Sequence, residues 1–429
     1  MAEERRLRVV LAMPVYPPYH TGAGRRFLRY APRLRALGVE LEVLSATPTL
    51  ARLEASQLEP AMDPTAGLRD GRLGEWLEET VIEGQRVRRV RLSSTASRSR
   101  AASFTYAVTR LALKERPDVL VFSPHALDVL AGVAALKMRG IATCIAYTVN
   151  VPLSTRRLPR VAQRLVWPQV FRAADAVVCN SDGMAQSLRG FGVSRTIDVI
   201  HNGVDLDLYL PPHGVDGQSE ARLALGLPPG RRIVLTVGAV SRRKGTEVLL
   251  EAFLRVAAQV PDVDLYLVGP SADGSAEKTP DARTFAREVK ALLEHPALSD
   301  RVRVVGPRED VSTWMRAADV FAFASEVEGL PNAVLEAFAS GLPVVSTTFD
   351  GLDETGGALG QPGRTFLLTP RDASALGVGL TRLLGDSVYA AQLARTAREW
   401  VVDHHGLSVA VEAYAALFRR ISQKLAAGR

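Results

Sequence analysis

Residues 320–347 read VFAFASEVEGLPNAVLEAFASGLPVVST. The apolar run Val320–Phe323 is a strand. The turn Gly329–Leu330–Pro331–Asn332 opens a helix near Pro331, a residue suited to a first helical turn. Pro343–Ser346 then returns as a second apolar strand. Strands that are apolar throughout, separated by a helix, belong to a parallel sheet covered on both faces. The same alternation runs through both halves of the chain. The first half holds strands near Leu7–Ala12, Glu40–Leu44, Val119–Phe122, Ile141–Ala146, Ala176–Cys179 and Asp198–Ile200. The second adds Ile233–Val237, Asp264–Val268, Val302–Val305 and Thr365–Leu368. The stretches between them have helical spacing; Thr246–Val260 places Val248, Leu249, Ala252, Phe253 and Val256 on one face. Two such sets in series predict an α/β protein of two doubly wound domains. We divide the chain into residues 1–204, residues 205–400 and a helical tail, 401–429, that packs back on the first domain. The segment richest in Pro and Gly, Pro211–Gly230, reads as the joint. Ala51–Thr80 reads as a polar, irregular insertion.

The 429 residues are 47% hydrophobic and 23% charged, an ordinary globular balance that excludes disorder for the bulk of the chain. The longest uncharged runs, Val9–Gly24 and Gly140–Thr155, have 16 residues each and contain Pro or Asn, so they fall short of a membrane span. The N-terminal stretch puts acids before its apolar run and reads as lacking a signal peptide. Cys144 and Cys179 are the only cysteines. A disulfide framework is excluded, and a cytoplasmic setting is expected. Charge is uneven: residues 1–205 carry 29 Lys and Arg against 19 Asp and Glu, while the remainder carries 24 against 27. The first half is therefore expected to face something anionic.

Three loops carry candidate chemistry. The turn around Gly22–Ala23–Gly24 follows the first strand, and glycine between a strand and a helix exposes backbone N–H groups suited to phosphate. Its spacing does not match the dinucleotide fingerprint, and Glu40–Ser45 lacks a terminal acid for a ribose, which argues against a NAD-dependent dehydrogenase. Ser241–Arg242–Arg243–Lys244–Gly245 sets three cations after strand Ile233–Val237, at the edge where open α/β sheets bind ligands. Arg243 stands where a Walker loop needs glycine. The third loop is the opening stretch. N–H groups from Gly329 to Ala333 at a helix start suit a diphosphate, and Glu328 and Glu336 bracket that site. Carboxylates beside a phosphate serve hydroxyls on either side of it, as in a diphosphate flanked by two polyols. The plainer alternatives are a βα turn without ligand, a solvated basic loop, and a capping Glu328 with a surface Glu336.

In this order and spacing the motifs resemble retaining glycosyltransferases of family four, over most of the chain. The resemblance is carried by Glu328 and Glu336 within EGLPNAVLEAFASGLPVVST, Asn202–Asp205 (NGVD), KGTEVLLEAF from Lys244, Gly22–Gly24, Ala174–Ser181 and Gly351–Glu354. It implies two Rossmann-like domains facing across a cleft, the GT-B type, with the donor on the second domain and the acceptor on the first. It also implies transfer of a sugar from a nucleotide sugar to an acceptor hydroxyl, without a metal or other cofactor. The retaining route would pass the acceptor proton to the donor's own phosphate oxygen. By position, Glu328 would meet the donor sugar, Glu336 the ribose, Lys244 and the Gly22 turn the diphosphate, and backbone at Val311 and Ser312 the nucleobase. Gly329, Leu330, Pro331 and Asn332 would complete the donor site. The sequence departs from the family at Ala239, where an arginine is usual and Arg242 or Arg243 would substitute, and at Tyr147, which replaces a histidine and offers a hydrogen bond instead.

Of the other histidines, His20 lies in the glycine loop and is a candidate for contact with donor or acceptor. His125 reads as packing or a cap, and His404–His405 read as surface. No metal-ligand spacing occurs. Asp205–Leu206–Asp207 and Asp262–Val263–Asp264 read as turn or cap residues. Arg86, Arg88, Arg89, Arg91, Arg98 and Arg100 form an acid-free run. It is either the charge row of an edge strand or a contact for anionic lipid or an anionic acceptor at the inner face of a membrane. Nucleic acid is not expected, because aromatic stacking partners are absent between the arginines. The function expected is therefore a retaining glycosyltransferase in glycolipid, polysaccharide or other glycoconjugate synthesis. The alternatives are a non-catalytic scaffold that binds nucleotide sugar, an epimerase or phosphorylase on the same fold, and an arginine-rich nucleic-acid binder.

Overall fold

The computed structural model describes residues 5–17, 22–46, 76–90, 97–122, 129–147, 160–214, 216–270, 280–353 and 355–427. The described residues form two compact units. Those up to His201 join those from Ser408 onward in the first, and those within Asn202–Leu407 make up the second.

The first unit is built on an eight-stranded sheet. In chain order its strands are β1 (Leu7–Ala12), β2 (Val39–Ala46), β3 (Trp76–Ile82), β4 (Gln85–Val90), β5 (Val119–Phe122), β6 (Ala142–Tyr147), β7 (Ala176–Cys179) and β8 (Asp198–Val199). They lie in the order β3-β4-β2-β1-β5-β6-β7-β8, parallel except where β3 meets β4. Strands β5, β6 and β7 are buried along their whole length, which is why they read as unbroken apolar runs. The closing helix Leu407–Ala427 supplies part of this core. Its Tyr414 ring lies 5.3 Å from Phe27 and 5.9 Å from Tyr30, and its Arg420 pairs with Asp198 at 2.7 Å.

The second unit has six parallel strands: β9 (Arg232–Val237), β10 (Val263–Val268), β11 (Val302–Gly306), β12 (Val320–Phe323), β13 (Val344–Thr347) and β14 (Leu367–Thr369). Their order is β11-β10-β9-β12-β13-β14. From β9 the chain winds outward to β11, then returns to β12 and winds the other way. The neighbours β9 and β12 therefore flank the switch point, where segments leaving their carboxyl ends diverge and open a crevice. The cation loop follows β9 and the Glu328 turn follows β12, so the topology alone brings them together.

Several sequence expectations are corrected. Pro211–Gly230 is not a bare joint: it lies inside the second unit and carries the helix Gly217–Ala224, tied to Asp319 by Arg222 at 2.6 Å. The unit boundary falls at His201/Asn202, and residues 401–407 stay with the second unit. Trp76–Thr80, read as irregular, belongs to β3. The β3–β4 hairpin turns through Glu83 (φ 47°) and Gly84 (φ 75°), the pair of positive φ values that suits a two-residue hairpin.

That hairpin also decides the arginine run. β4 is not an edge strand, since β3 covers it. Arg88 and Arg89 are 5% and 3% exposed, which removes both from any lipid contact. Arg88 Nη1 and Nη2 donate to the two carboxylate oxygens of Glu115 at 2.6 and 2.8 Å, and Arg88 also pairs with Glu42. Arg89 donates to the Pro17 carbonyl at 2.9 Å. Arg86 is exposed but bound to Glu79 at 2.6 and 3.0 Å. Arg98 and Arg100 are on helix Ser97–Glu115, and Arg91 lies outside the described residues. Arg88→Met is expected to destabilise the protein by about 3 kcal/mol, because Glu42 and Glu115 lose the cation that compensates their burial. Urea unfolding measures it, and a loss near zero would show that the network is dispensable.

Candidate functional site

The site is assembled from three segments of the second unit. The first is a single 3-10 turn, Arg242–Lys244, that ends at Gly245 in the left-handed region (φ 67°). A β-carbon there would lie 2.0 Å from the Ala324 carbonyl oxygen. Only glycine lets the turn sit this close to the end of β12, and that closeness puts Lys244 within reach of the second segment. The turn is held by Lys244 N–H donating to the Ser241 carbonyl at 3.0 Å and by Ser241 N–H donating to Thr246 Oγ1 at 3.1 Å.

The second segment is residues 325–332. Glu328 Oε1 accepts from Lys244 Nζ at 2.6 Å, Arg243 Nη1 at 2.9 Å and Ser325 Oγ at 3.1 Å. Burial pushes the Glu328 carboxyl up, but Lys244, Arg243 and Ser325 together pull it further down. Its pKa lies below the ordinary glutamate value, so Glu328 is ionised at neutral pH. Glu328 N–H donates to Asp350 O at 3.0 Å, which fixes the backbone of the turn. Lys244 Nζ also lies 5.7 Å from the centre of the Phe323 ring.

The third segment is helix Asn332–Ala339. Pro331 sits just outside it as the N-cap (φ −75°, ψ 110°), one position earlier than its usual first-turn place. Its carbonyl accepts from Val334 and Leu335 N–H at 3.2 and 3.3 Å. Glu336 is half-buried in the second turn. The start of the helix is tied to the NGVD motif: Asn202 Nδ2 donates to the Leu330 carbonyl at 2.9 Å and to Asn332 Oδ1 at 2.7 Å. The Asn202 side chain therefore sets the shape of the turn that carries Gly329, Leu330 and Asn332.

The structure thus brings Lys244, Arg243 and Ser325 onto Glu328, with residues 329–332 following directly and Glu336 one turn further along the helix. It does not bring Arg242 with them. Arg242 is bound by Glu288 at 2.7 Å and Glu247 at 3.4 Å, and it lies over the Phe285 ring at 5.4 Å. The second cation on Glu328 is Arg243. Val311 opens the short helix Val311–Ala317 behind Asp310, whose carboxylate is held by Arg308 at 2.8 and 2.7 Å. In the first unit, Gly22 and Gly24 are the opening turn of helix Gly22–Ala36 rather than a loop before it. Tyr147 closes β6 and is 5% exposed. Its ring stands edge-on to Phe171 at 6.0 Å, and burial pushes its phenol up to about 12, so it remains a hydrogen-bond donor at neutral pH. His20, His125 and Glu354 lie outside the described residues.

Two buried residues were missed. Asn202 appeared only within a motif, and its partners are 128 and 130 positions away. His405, read as surface, is 1% exposed. The Asp-x-Asp segments are structural: Asp262 pairs with Arg232 at 2.6 Å, Asp264 pairs with Arg231, and Asp205 Oδ1 accepts from Asp207 N–H at 3.2 Å. Among the described residues no three His, Cys, Asp or Glu side chains converge to hold a metal ion. No helix among them is long and apolar enough to cross a membrane.

Comparison with known proteins adds to this geometry. Residues 231–386 match the family model "Glycosyl transferases group 1", and residues 20–208 match "Glycosyltransferase Family 4". The chain is 27% identical over 421 residues to a D-inositol 3-phosphate glycosyltransferase of Streptomyces avermitilis, covering 92% of this chain and 84% of that protein. It is 28% identical over 313 residues to the lipopolysaccharide core biosynthesis glycosyltransferase LpsE of Rhizobium meliloti, covering 72% and 77%. Among solved structures, Anabaena HepE in complex with UDP and glucose superposes with a TM-score of 0.72 at 19% identity, covering 97% of this chain and 100% of that one. The sucrose-phosphate synthase of Thermosynechococcus elongatus gives 0.70 at 22% identity, covering 97% and 99%. At these identities the structures speak for the fold.

Proposed function

Since this chain belongs to glycosyltransferase family 4, we propose that it moves a sugar from a nucleoside-diphosphate sugar to an acceptor hydroxyl with retention of anomeric configuration. The observation that carries the reading is the convergence of Lys244 and Arg243 on Glu328 at the switch point. Two cations beside the start of a helix answer the charge of a diphosphate. The ionised Glu328 accepts hydrogen bonds from hydroxyls of the donor sugar, and Glu336 from those of the ribose. Arg243 supplies the second cation that Ala239 does not. Backbone at Val311 and Ser312 takes the base. The solved HepE complexes with UDP and with UDP-glucose support a nucleotide-sugar donor. The inositol-phosphate and lipopolysaccharide relatives, together with the basic first half, support an acceptor that carries phosphate or lipid.

With two cations and a helix start taking up the leaving charge, transfer is expected to proceed undiminished in EDTA. Complete loss, restored by Mn²⁺ or Mg²⁺, would overturn that expectation. The function itself is tested by thermal shift and calorimetry against UDP, GDP, ADP and dTDP and their glucose or mannose sugars. The anomeric configuration of the transferred sugar is then read by NMR. One nucleoside diphosphate is expected to bind, with its sugar transferred in the donor's configuration. Binding of none, or an inverted product, would refute the proposal.

A further inference from the structure

We infer that His405 is a positioning residue for the donor site, acting through Asn202; this rests on the reading above that residues 325–336 hold the donor. His405 is the last residue of helix Ser387–His405, and no described contact places it against Lys244, Arg243 or Glu328. It is nevertheless enclosed, and both ring nitrogens face carbonyl oxygens. Nδ1 is 3.2 Å from Asn202 O, and Nε2 is 2.6 Å from Ala358 O. A neutral ring donates to one of these oxygens, and an imidazolium donates to both.

The two carbonyls belong to the segments that back the site. Asn202 carries the amide that holds Leu330 and Asn332. Ala358 lies in the 3-10 turn Gly357–Leu359, a few residues after the strand-like pairing of Val327 with Asp350. That pairing fixes Glu328 from the other side. The Ala358 carbonyl also accepts from Trp400 Nε1 at 3.1 Å. A single imidazole therefore links the segment that shapes the helix start to the segment that follows the Glu328 clasp.

Backbone bonds already join the two neighbourhoods: Val204 N–H donates to the His405 carbonyl at 2.8 Å, and Val204 bridges Gly406. Replacing the ring leaves these bonds intact. The ring itself orients the Asn202 peptide, and with it the direction in which the Asn202 amide leaves the backbone. An amide that fails to meet Leu330 O and Asn332 Oδ1 frees the turn at residues 329–332, where the diphosphate would bind.

The test is a double-mutant cycle read by calorimetry on the full chain, with UDP, GDP, ADP and dTDP as probes, alongside thermal unfolding. His405→Phe keeps the aromatic volume and removes both ring nitrogens. It is expected to weaken the nucleoside diphosphate that the wild type binds by about tenfold. His405→Gln, which keeps a donor, is expected to recover most of that loss. Asn202→Ala should weaken the same probe, and the double variant should be no weaker than Asn202→Ala alone. A purely structural role would lower the melting temperature of His405→Phe and leave its affinity unchanged once it is folded, which would overturn the inference. Losses that multiply in the double variant would also overturn it. If His405→Phe does not fold, His405→Asn, a shorter donor, is expected to show the loss, and wild-type affinity there would equally overturn it. Wild-type protein that binds none of the four probes refutes the donor-site reading itself, and the positioning role falls with it.

Discussion

Lys244→Ala is expected to lower sugar transfer by about 10²–10³-fold, the range seen when a preorganised group facing developing charge is removed. In a transfer reaction, charge builds on the leaving diphosphate, and Lys244 is the more enclosed of the two cations, with 22% of its side chain exposed against 53% for Arg243. An enclosed cation is screened less by water and salt. The fold should survive, because Glu328 keeps Arg243 at 2.9 Å and Ser325 at 3.1 Å. Lys244→Arg should rescue only part of the activity. A guanidinium is planar and bulkier than an ammonium, and the 3-10 turn is tightly pinned at Gly245. Turnover and melting temperature are measured together. A folded Lys244→Ala with wild-type turnover would remove the residue from the reaction.

Glu328→Gln and Glu336→Gln are expected to separate by ligand. Each keeps the shape and loses a charge-assisted hydrogen bond worth about 1.5–3 kcal/mol, or tenfold to more than a hundredfold in affinity. Glu336→Gln should weaken the bare nucleoside diphosphate and the intact sugar donor alike, because both contain the ribose. Glu328→Gln should weaken the sugar donor and lower turnover through lost geometry, but not weaken the bare diphosphate. Removing the charge at Glu328 also releases Lys244 and Arg243 from their internal partner, so bare diphosphate binding could only gain. Calorimetry with both ligands decides the matter, and equal losses in Glu328→Gln would reverse the assignment. The same variant has a pH signature. The wild-type carboxyl has a depressed pKa in the folded protein, so its ion pairs stabilise the fold above the ordinary glutamate value. That stabilisation is lost as pH falls through the depressed one. Acid unfolding of Glu328→Gln should lack this component.

The βαβ unit at residues 320–347 was legible because its strands are buried on both faces and its helix start is marked by Gly, Leu, Pro and Asn. Glu328 and Glu336 lie within it, and Lys244, read from the loop after the first strand of the second half, meets Glu328 because a switch point turns sequence order into spatial proximity. The cation loop was harder to read. A 3-10 turn has about three residues per turn, so consecutive side chains leave in different directions, and three cations in a row cannot converge on one anion. Arg243 and Lys244 reach Glu328, whereas Arg242 is directed to Glu247 and Glu288. The β3–β4 hairpin was missed because Glu83–Gly84 lacks the Asn or Asp that advertises such turns. Its strands also carry charges that look like surface until Glu115 and Glu42 are found beside Arg88. His405 and Asn202 hid for a related reason: their partners are carbonyl oxygens, which no sequence pattern records.

The aromatic contact of Tyr414 with Phe27 and Tyr30 has a consequence for biosynthesis. The first unit takes its last core side chains from residues after 407. During translation, domains tend to fold as they emerge, amino-terminal first. Here the amino-terminal unit waits with its core incomplete while the central two hundred or so residues are made. The second unit, whose described residues all fall within 202–407, is free to fold ahead of it. A nascent or truncated polypeptide ending before residue 408 leaves Phe27 and Tyr30 without their partner ring. Chaperone dependence should therefore be greatest in that interval and should end with the closing helix.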